Sequence, residues 1–307
     1  MWRPPTPRVA RRWLSRSPAQ YHDSTDFCWE ALRARVSLPS FVATRPSAST
    51  DGADQEARWE LAYRTHRSTQ AQLFKERRYL LNAFPLLREA EAVLEVGCGN
   101  GSSVLPILRG NTTVHVHATD PSATAIDLTR AACEEVGVAR RLTTGVQDED
   151  SLLGGALHGT FDVACVVFTA SAVPDAGDLE LLKRVAAALK PGGAILLRDY
   201  GALDVRMLRD LASAHGQPPP KSVQPGRTPR TPRPDAPRAV RVGEREFVRP
   251  GGFFRRYYSL EDVAQLAVSA RLTLEEARYC CQRVQNKRRA LTMDRVFIHA
   301  LFRSWRT

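Results

Sequence analysis

The 307-residue sequence has no apolar run near the roughly 18 residues that a membrane-spanning helix needs, which predicts a soluble chain without a membrane partner. It also lacks any CxxC pair. Its six cysteines (Cys28, Cys98, Cys133, Cys165, Cys280, Cys281) are expected to be reduced and mostly core thiols, with no metal site. Acid is missing from residues 1–22, which carry Arg3, Arg8, Arg11, Arg12 and Arg16. Such a composition matches a mitochondrial presequence, with a disordered basic tail touching RNA in a cytoplasmic protein as the alternative. Apolar residues are nearly absent from 216–243, where eight prolines and six basic residues accompany Asp235. Each of these two segments holds +5 of the formal +11, leaving +1 for the rest of the chain. The charge points to a polyanionic partner but marks no docking face on the folded body.

What remains reads as a basic tail and loop over 1–52 and a helical appendage over 53–91. A catalytic domain over 92–307 carries the Pro/Arg-rich insertion. The appendage is expected to be helical from about Gln55 to Phe84, anchored by Trp59, Tyr63, Phe74 and Leu81. From Ala92 the pattern alternates strand and helix. VLEV, VHVHATD, Leu142–Val146, FDVACVVF and AILLRDYG read as strands, and the segments beginning SSVLPILRG, PSATAIDL and LELLKRV read as helices. Past the insertion a strand-like piece precedes a helix starting near Ser259, then two strands around LEEARYCCQRVQ and DRVFIHALF. Short connections between alternating elements predict an α/β fold with a Rossmann-like, doubly wound, mostly parallel sheet.

VLEVGCGNGS places Gly97, Gly99 and Gly101 directly after a strand that ends near Glu95. This is neither the G-x-G-x-x-G of a dinucleotide site nor a loop followed by GK[ST]. A carboxylate before the turn is unwelcome near phosphates and suits a ligand bearing an ammonium and a sulfonium. Asp120 closes the next strand, 21 residues after Gly99, where it can accept bonds from both hydroxyls of a ribose. Together with the KPGG turn (Lys190–Gly193), the pattern points to S-adenosylmethionine.

The longer blocks resemble the tRNA 3-methylcytidine methyltransferases, class I enzymes that modify position 32 of the anticodon loop. LFKERRYLLNAFPLL (73–87), VVFTASAV and LKPGG fall in that family's order. RDYGALDVRMLR (198–209) and VQNKRRALTMDRVFIHALF (284–302) are similar to its most diagnostic segments. The resemblance implies transfer of a methyl group to cytidine N3 and a tRNA partner. Carried over by position, Gly97, Gly99, Gly101, Asp120, Pro121 and Phe168 contact the cofactor. Glu95 supports the loop, and Trp59 and Tyr63 close the pocket. Lys75, Arg77, Arg249, Arg255 and Arg295 face RNA, and Asp199 is the candidate catalytic carboxylate beside the base. For Trp59 and Tyr63 the alternative is ordinary helix packing. For Lys75 and Arg77 it is a solvated helix face, and for Asp199 it is capping the following turn.

The sequence departs from the family in four places, the first being three extra residues between Tyr63 and the LFKER block. The family's SAVHP is SAVPD here (Ser171–Asp175), and its R-G-D-G-T-R becomes Arg249-Pro-Gly-Gly-Phe-Phe254. Gly145 stands where an acid is expected, so either Asp148 contacts the adenine amino group or nothing does. The competing reading is therefore a degenerate methyltransferase fold. It would serve as an RNA-binding or assembly component of a mitochondrial ribonucleoprotein, with rRNA or an accessory protein as further partners. A small-molecule methyltransferase comes third, with RDYG and the terminal block against it.

Overall fold

The computed structural model describes residues 26–40, 51–69, 74–146, 157–217, 237–286 and 291–305. The arginine-rich first 22 residues, Asp148 and most of the Pro/Arg-rich insertion lie outside them.

Helices α1 (Trp29–Arg35), α2 (Gly52–Thr69) and the single turn α3 (Leu80–Ala83) precede the sheet. The alternating region is β1 (Ala92–Val96), α4 (Val104–Gly110), β2 (His115–Asp120), α5 (Ala123–Glu135) and β3 (Leu142–Val146). It continues through β4 (Phe161–Val167), α6 (Gly177–Ala188), β5 (Leu189–Tyr200) and α7 (Val205–Ala214). Then come β6 (Val240–Arg241), β7 (Glu246–Val248), β8 (Phe254–Arg256), α8 (Leu260–Ser269), β9 (Thr273–Asn286) and β10 (Leu291–Arg303).

Seven strands form one sheet in the order β3-β2-β1-β4-β5-β10-β9, and β6, β7 and β8 form a small second sheet. The first five strands run parallel, whereas β10 is antiparallel to both β5 and β9. A parallel sheet must be covered on both faces, which is why β1 and β4 are apolar almost throughout. Alternate residues serve opposite layers. Leu94, Val96, Ala164 and Val166 pack beneath α6 and α8 with Leu182, Val185 and Val263. Val93, Val163 and Cys165 join Leu80, Ile107 and Ile126 on the other face. Strand order reverses between β1 and β4, and in such sheets ligands bind beyond the carboxyl ends of the strands at that reversal.

Four expectations change. The helix expected over 55–84 stops at Thr69, and the chain from Phe74 to Tyr79 is irregular. There the glycine loop takes the backbone: Asn100 Nδ2 donates to Phe74 O (3.0 Å) and Arg77 N to Ser102 O (2.7 Å). The segment read as tail and loop contains α1, whose Leu32 packs with Leu203, Cys281 and Val296 while Trp29 stacks on Tyr279 at 4.5 Å. Packed structure resumes inside the insertion, because Val240 and Arg241 pair with Val248 and Phe247. Finally, KPGG is a bulge within β5 rather than a turn before it. The register jumps from Phe161↔Leu189 to Val163↔Ala194, and a Cβ on Gly193 would stand 2.9 Å from Lys190 O.

Five of the six cysteines are buried, only Cys28 is exposed, and none is disulfide-bonded. No helix among the described residues is long and apolar enough to cross a membrane.

Candidate active site

A cavity of about 1520 Å³ opens beyond the carboxyl ends of β1, β4 and β5. Ordinary small-molecule sites occupy roughly 300–1,000 Å³, so the space exceeds one compact ligand.

One half is built on the glycine loop. Gly97 and Gly99 line it with left-handed φ of 72° and 58°. A Cβ on Gly99 would stand 2.7 Å from Tyr63 Oη, and one on Gly97 would run into the Thr169 side chain. Only bare backbone fits between those walls. Gly101 has φ 76° but turns away from the cavity toward Thr129 on α5, so its place is in the turn and not at a ligand. Asp120, at the end of β2, lines the cavity. Its Oδ2 accepts from Gly99 N (2.9 Å) and its Oδ1 from Ser122 N (3.0 Å). Burial pushes this carboxyl up to about 6, against the pull of those two N–H groups. Each oxygen keeps a lone pair for a ligand hydroxyl. Pro121 is beside it on the wall.

Glu95 lies under the loop rather than on the cavity wall. It is fully buried, neither oxygen has a hydrogen-bond partner, and burial raises it to about 7 while Arg77 draws it down. Arg77 braces the loop's far end, donating to Ser103 Oγ (2.9 Å) and to the Ser102 hydroxyl. Its Cζ also lies 5.3 Å over the Phe168 ring, so it is committed to the loop more than offered to RNA. Lys75 is on the cavity wall.

Trp59 and Tyr63 roof this half from α2. Trp59 is 4.8 Å from Phe253, and Gln55 clamps the β7–β8 turn by donating to Gly252 O (3.0 Å) and accepting from Phe254 N (2.8 Å). Glu60 fixes α2 to the start of α5 through Ser122 Oγ (2.5 Å), Thr124 Oγ1 (2.7 Å) and Thr124 N (3.2 Å). Burial opposes the Glu60 charge, yet these bonds hold the group down at about 2.

The other half is aromatic and cationic. Phe168 adopts a left-handed φ of 59°, a strain of about 1–3 kcal/mol for a non-glycine residue. Its ring lies 5.0 Å from Tyr200 and 5.6 Å from Phe297. Arg249, Arg255 and Arg295 all line this half. So do Arg198 and Arg206, which are not among the residues expected to face RNA. Their signal was RDYGALDVRMLR itself, since Arg206 lies two residues into α7 and returns to Tyr200 Oη (3.2 Å). Glu60 and Gln55 left no comparable signal.

Asp199 is not on the cavity wall. Its side chain is fully buried, with Oδ2 accepting from Ser171 N (3.0 Å) and Oδ1 from Tyr200 N (2.8 Å). Burial raises it to about 6. These bonds match the alternative role of a turn cap: they hold the turn after β4 against the end of β5.

A family model described as a methyltransferase domain matches residues 63–238, more than half of the chain. The chain belongs to this family. Among methyltransferases of known activity, it is similar to a tRNA N(3)-cytidine methyltransferase of Xenopus tropicalis, 30% identical over 74% of this chain and 60% of that protein. A tRNA N(3)-methylcytidine methyltransferase of Schizosaccharomyces pombe is 27% identical over 80% and 90% of the two chains, and a tRNA N(3)-cytidine methyltransferase of Mus musculus 28% over 81% of each. The chain thus spans less than two thirds of the frog relative and most of the other two. In fold, this methyltransferase resembles a SAM-dependent methyltransferase of Anabaena variabilis (TM-score 0.57, 14% identity, covering 87% of this chain and all of that one). A 1,6-didemethyltoxoflavin-N1-methyltransferase of Burkholderia thailandensis, solved with 1,6-didemethyltoxoflavin and S-adenosylhomocysteine, gives a TM-score of 0.51 at 17% identity over 86% and 93% of the chains.

Proposed function

We propose that the protein is an S-adenosylmethionine-dependent methyltransferase that methylates cytidine N3 in tRNA. The observation that carries this reading is an open glycine-loop site with a free-edged Asp120, in a chain whose similar proteins over most of its length are tRNA N3-cytidine methyltransferases.

The residues fit the cofactor. Asp120 offers lone pairs to ribose hydroxyls, Gly97 and Gly99 allow backbone approach, and the unpartnered Glu95 supplies negative potential beneath the loop for an ammonium. When bound, S-adenosylmethionine supplies an electrophilic methyl group. Cytosine N3 carries an in-plane lone pair at neutral pH and needs no deprotonation, so the protein's task is to orient the base and exclude water. A base must leave its stack to enter this cavity, which makes an unpaired loop a cheaper substrate than a duplex. Phe168 stands between the two halves, where it limits how the base can lie against Gly97 and Thr169. Asp199 acts through position, tying Ser171 to Tyr200.

A specific observation favours the active enzyme over the degenerate scaffold: Gly97, Gly99 and Asp120 line an open cavity, with Tyr63 and Thr169 as its walls. Incubation with tRNA and labelled cofactor, followed by nucleoside analysis, tests the proposal. The expected product is 3-methylcytidine. Cofactor binding without any methylated nucleoside would refute it.

A further inference from the structure

The cationic half of the cavity is unlike a plain base pocket. Around Tyr200, the Arg255 Cζ lies 4.6 Å from the ring centroid, Arg206 5.5 Å and Arg295 5.8 Å. With guanidiniums this close, the Tyr200 ring serves them as a platform and has little room to stack a nucleobase.

Six arginines line this end of the cavity: Arg77, Arg198, Arg206, Arg249, Arg255 and Arg295. The carboxylates that answer them are already committed. Asp204 holds Arg295 Nε at 2.7 Å and also accepts from the backbone of Arg206 and Val296. Asp210 stands 3.6 Å from Arg249 Nε and accepts from Tyr257 Oη at 2.6 Å. Asp199, close enough to Arg255 to feel its charge, receives two backbone N–H groups. Arg255 Nη1 is buried without a partner. Burial and the neighbouring Arg295 and Arg255 charges lower Arg206, although Tyr200 favours its charge. The cluster is therefore short of anions. A ring that becomes cationic on methylation would form among like charges unless the substrate brought negative charge with it.

We infer that Arg206, Arg249, Arg255 and Arg295 form an anion seat for the phosphodiesters flanking the target nucleotide. The site would then select a phosphate-bearing chain over a free base or nucleoside. This rests on the RNA reading above and names the part of the RNA that these residues hold. Asp204, Asp210 and the Tyr200 ring position the guanidiniums, whose planar forks match phosphate oxygens.

The test uses the full chain and a tRNA assembled by ligation, with either natural linkages or neutral methylphosphonates on both sides of the target cytidine. Binding is measured with S-adenosylhomocysteine present for the wild type, Arg255→Ala and Arg206→Ala. Arg206 is the more exposed of the two, so its variant stands in should Arg255→Ala fail to fold. The methylphosphonates should weaken wild-type binding by about tenfold or more, as expected for lost charge-assisted bonds, and should matter much less in each variant. Each arginine removed should also flatten the slope of log affinity against log salt by about 0.7. S-adenosylhomocysteine affinity should not change. Equal wild-type affinity for both tRNAs overturns the inference, as does an identical penalty in wild type and variants. Loss of S-adenosylhomocysteine binding in the variants also overturns it, by assigning the arginines to the cofactor. If natural tRNA accepts labelled methyl groups while the methylphosphonates have no effect, only the anion seat falls. If no RNA is methylated, the underlying function falls.

Discussion

Asp120→Asn separates folding from binding at the glycine loop. Burial raises the Asp120 carboxyl from an ordinary 3.8 to about 6, so the fold resists its charged form. Its contribution to stability is full below about pH 4 and is lost as pH rises through 6. Above that point the penalty is about 3 kcal/mol, since each pH unit between the two values corresponds to roughly 1.4 kcal/mol. Asparagine removes that penalty. It also turns an NH2 group toward either Gly99 N or Ser122 N, and an unsatisfied buried N–H costs about 1–3 kcal/mol. The two effects are of similar size, so at pH 8 the variant should unfold within about 5 °C of the wild type. Binding has no such offset. Losing a charge-assisted acceptor for a ribose hydroxyl should raise the dissociation constant about 10- to 100-fold. Wild-type affinity should fall as pH drops below 6, toward tenfold per unit, while the variant stays flat. Calorimetric titration with S-adenosylhomocysteine between pH 5 and 8, with melting curves alongside, reads both quantities. Variant affinity within threefold of wild type, or pH-independent wild-type binding, would refute the assigned role.

Other substitutions probe the remaining walls. Glu95→Gln should raise the melting temperature above pH 7, because the wild type loses stability as pH climbs from 4.5 through its raised value of about 7. A melting temperature with no pH dependence over that range in the wild type would contradict the buried, unpartnered carboxylate. Gly97→Ala should abolish measurable S-adenosylhomocysteine binding and lower stability by about 1 kcal/mol or more, from the positive φ and the Thr169 overlap together. Asp199→Asn should keep methyl transfer within about tenfold of wild type, since both carboxyl oxygens accept backbone N–H groups; a loss beyond about a thousandfold with intact folding would restore its catalytic role. For Glu60, held at about 2, stability is present above about pH 4.5 and lost as pH falls toward 2. Glu60→Gln should accordingly loosen α2 at neutral pH, seen as faster hydrogen exchange in residues 52–69.

The sheet was legible because buried parallel strands leave near-continuous apolar runs, and VLEV and FDVACVVF fall at the structural centre. Helix starts were legible where a cap was local, as with Ser259 and Asp262 in their capping box at α8. What was not legible depended on distant partners. Nothing local to LFKER announces that its backbone pairs with residues 100–102, so a helical periodicity was read through it. The α1 segment gave too short a pattern to stand apart from the loops around it, and its reason to fold is the surface of Tyr279, Cys281 and Val296 far along the chain. At the site, glycine spacing marked the loop that lines the cavity, because positive φ and close approach leave a residue-type signature. The direction of a side chain leaves none. Asp199 and Tyr200 are neighbours in RDYG, yet the first turns into the backbone and the second into the cavity.

Methyl transfer to tRNA measured at nucleotide resolution is the most direct test. Purified protein, labelled S-adenosylmethionine and total tRNA should yield 3-methylcytidine at a single loop cytidine, with Asp120→Asn reducing the yield about 10-fold or more at limiting cofactor. Label on any other nucleoside, or none at all from protein that binds S-adenosylhomocysteine, would contradict the proposed function.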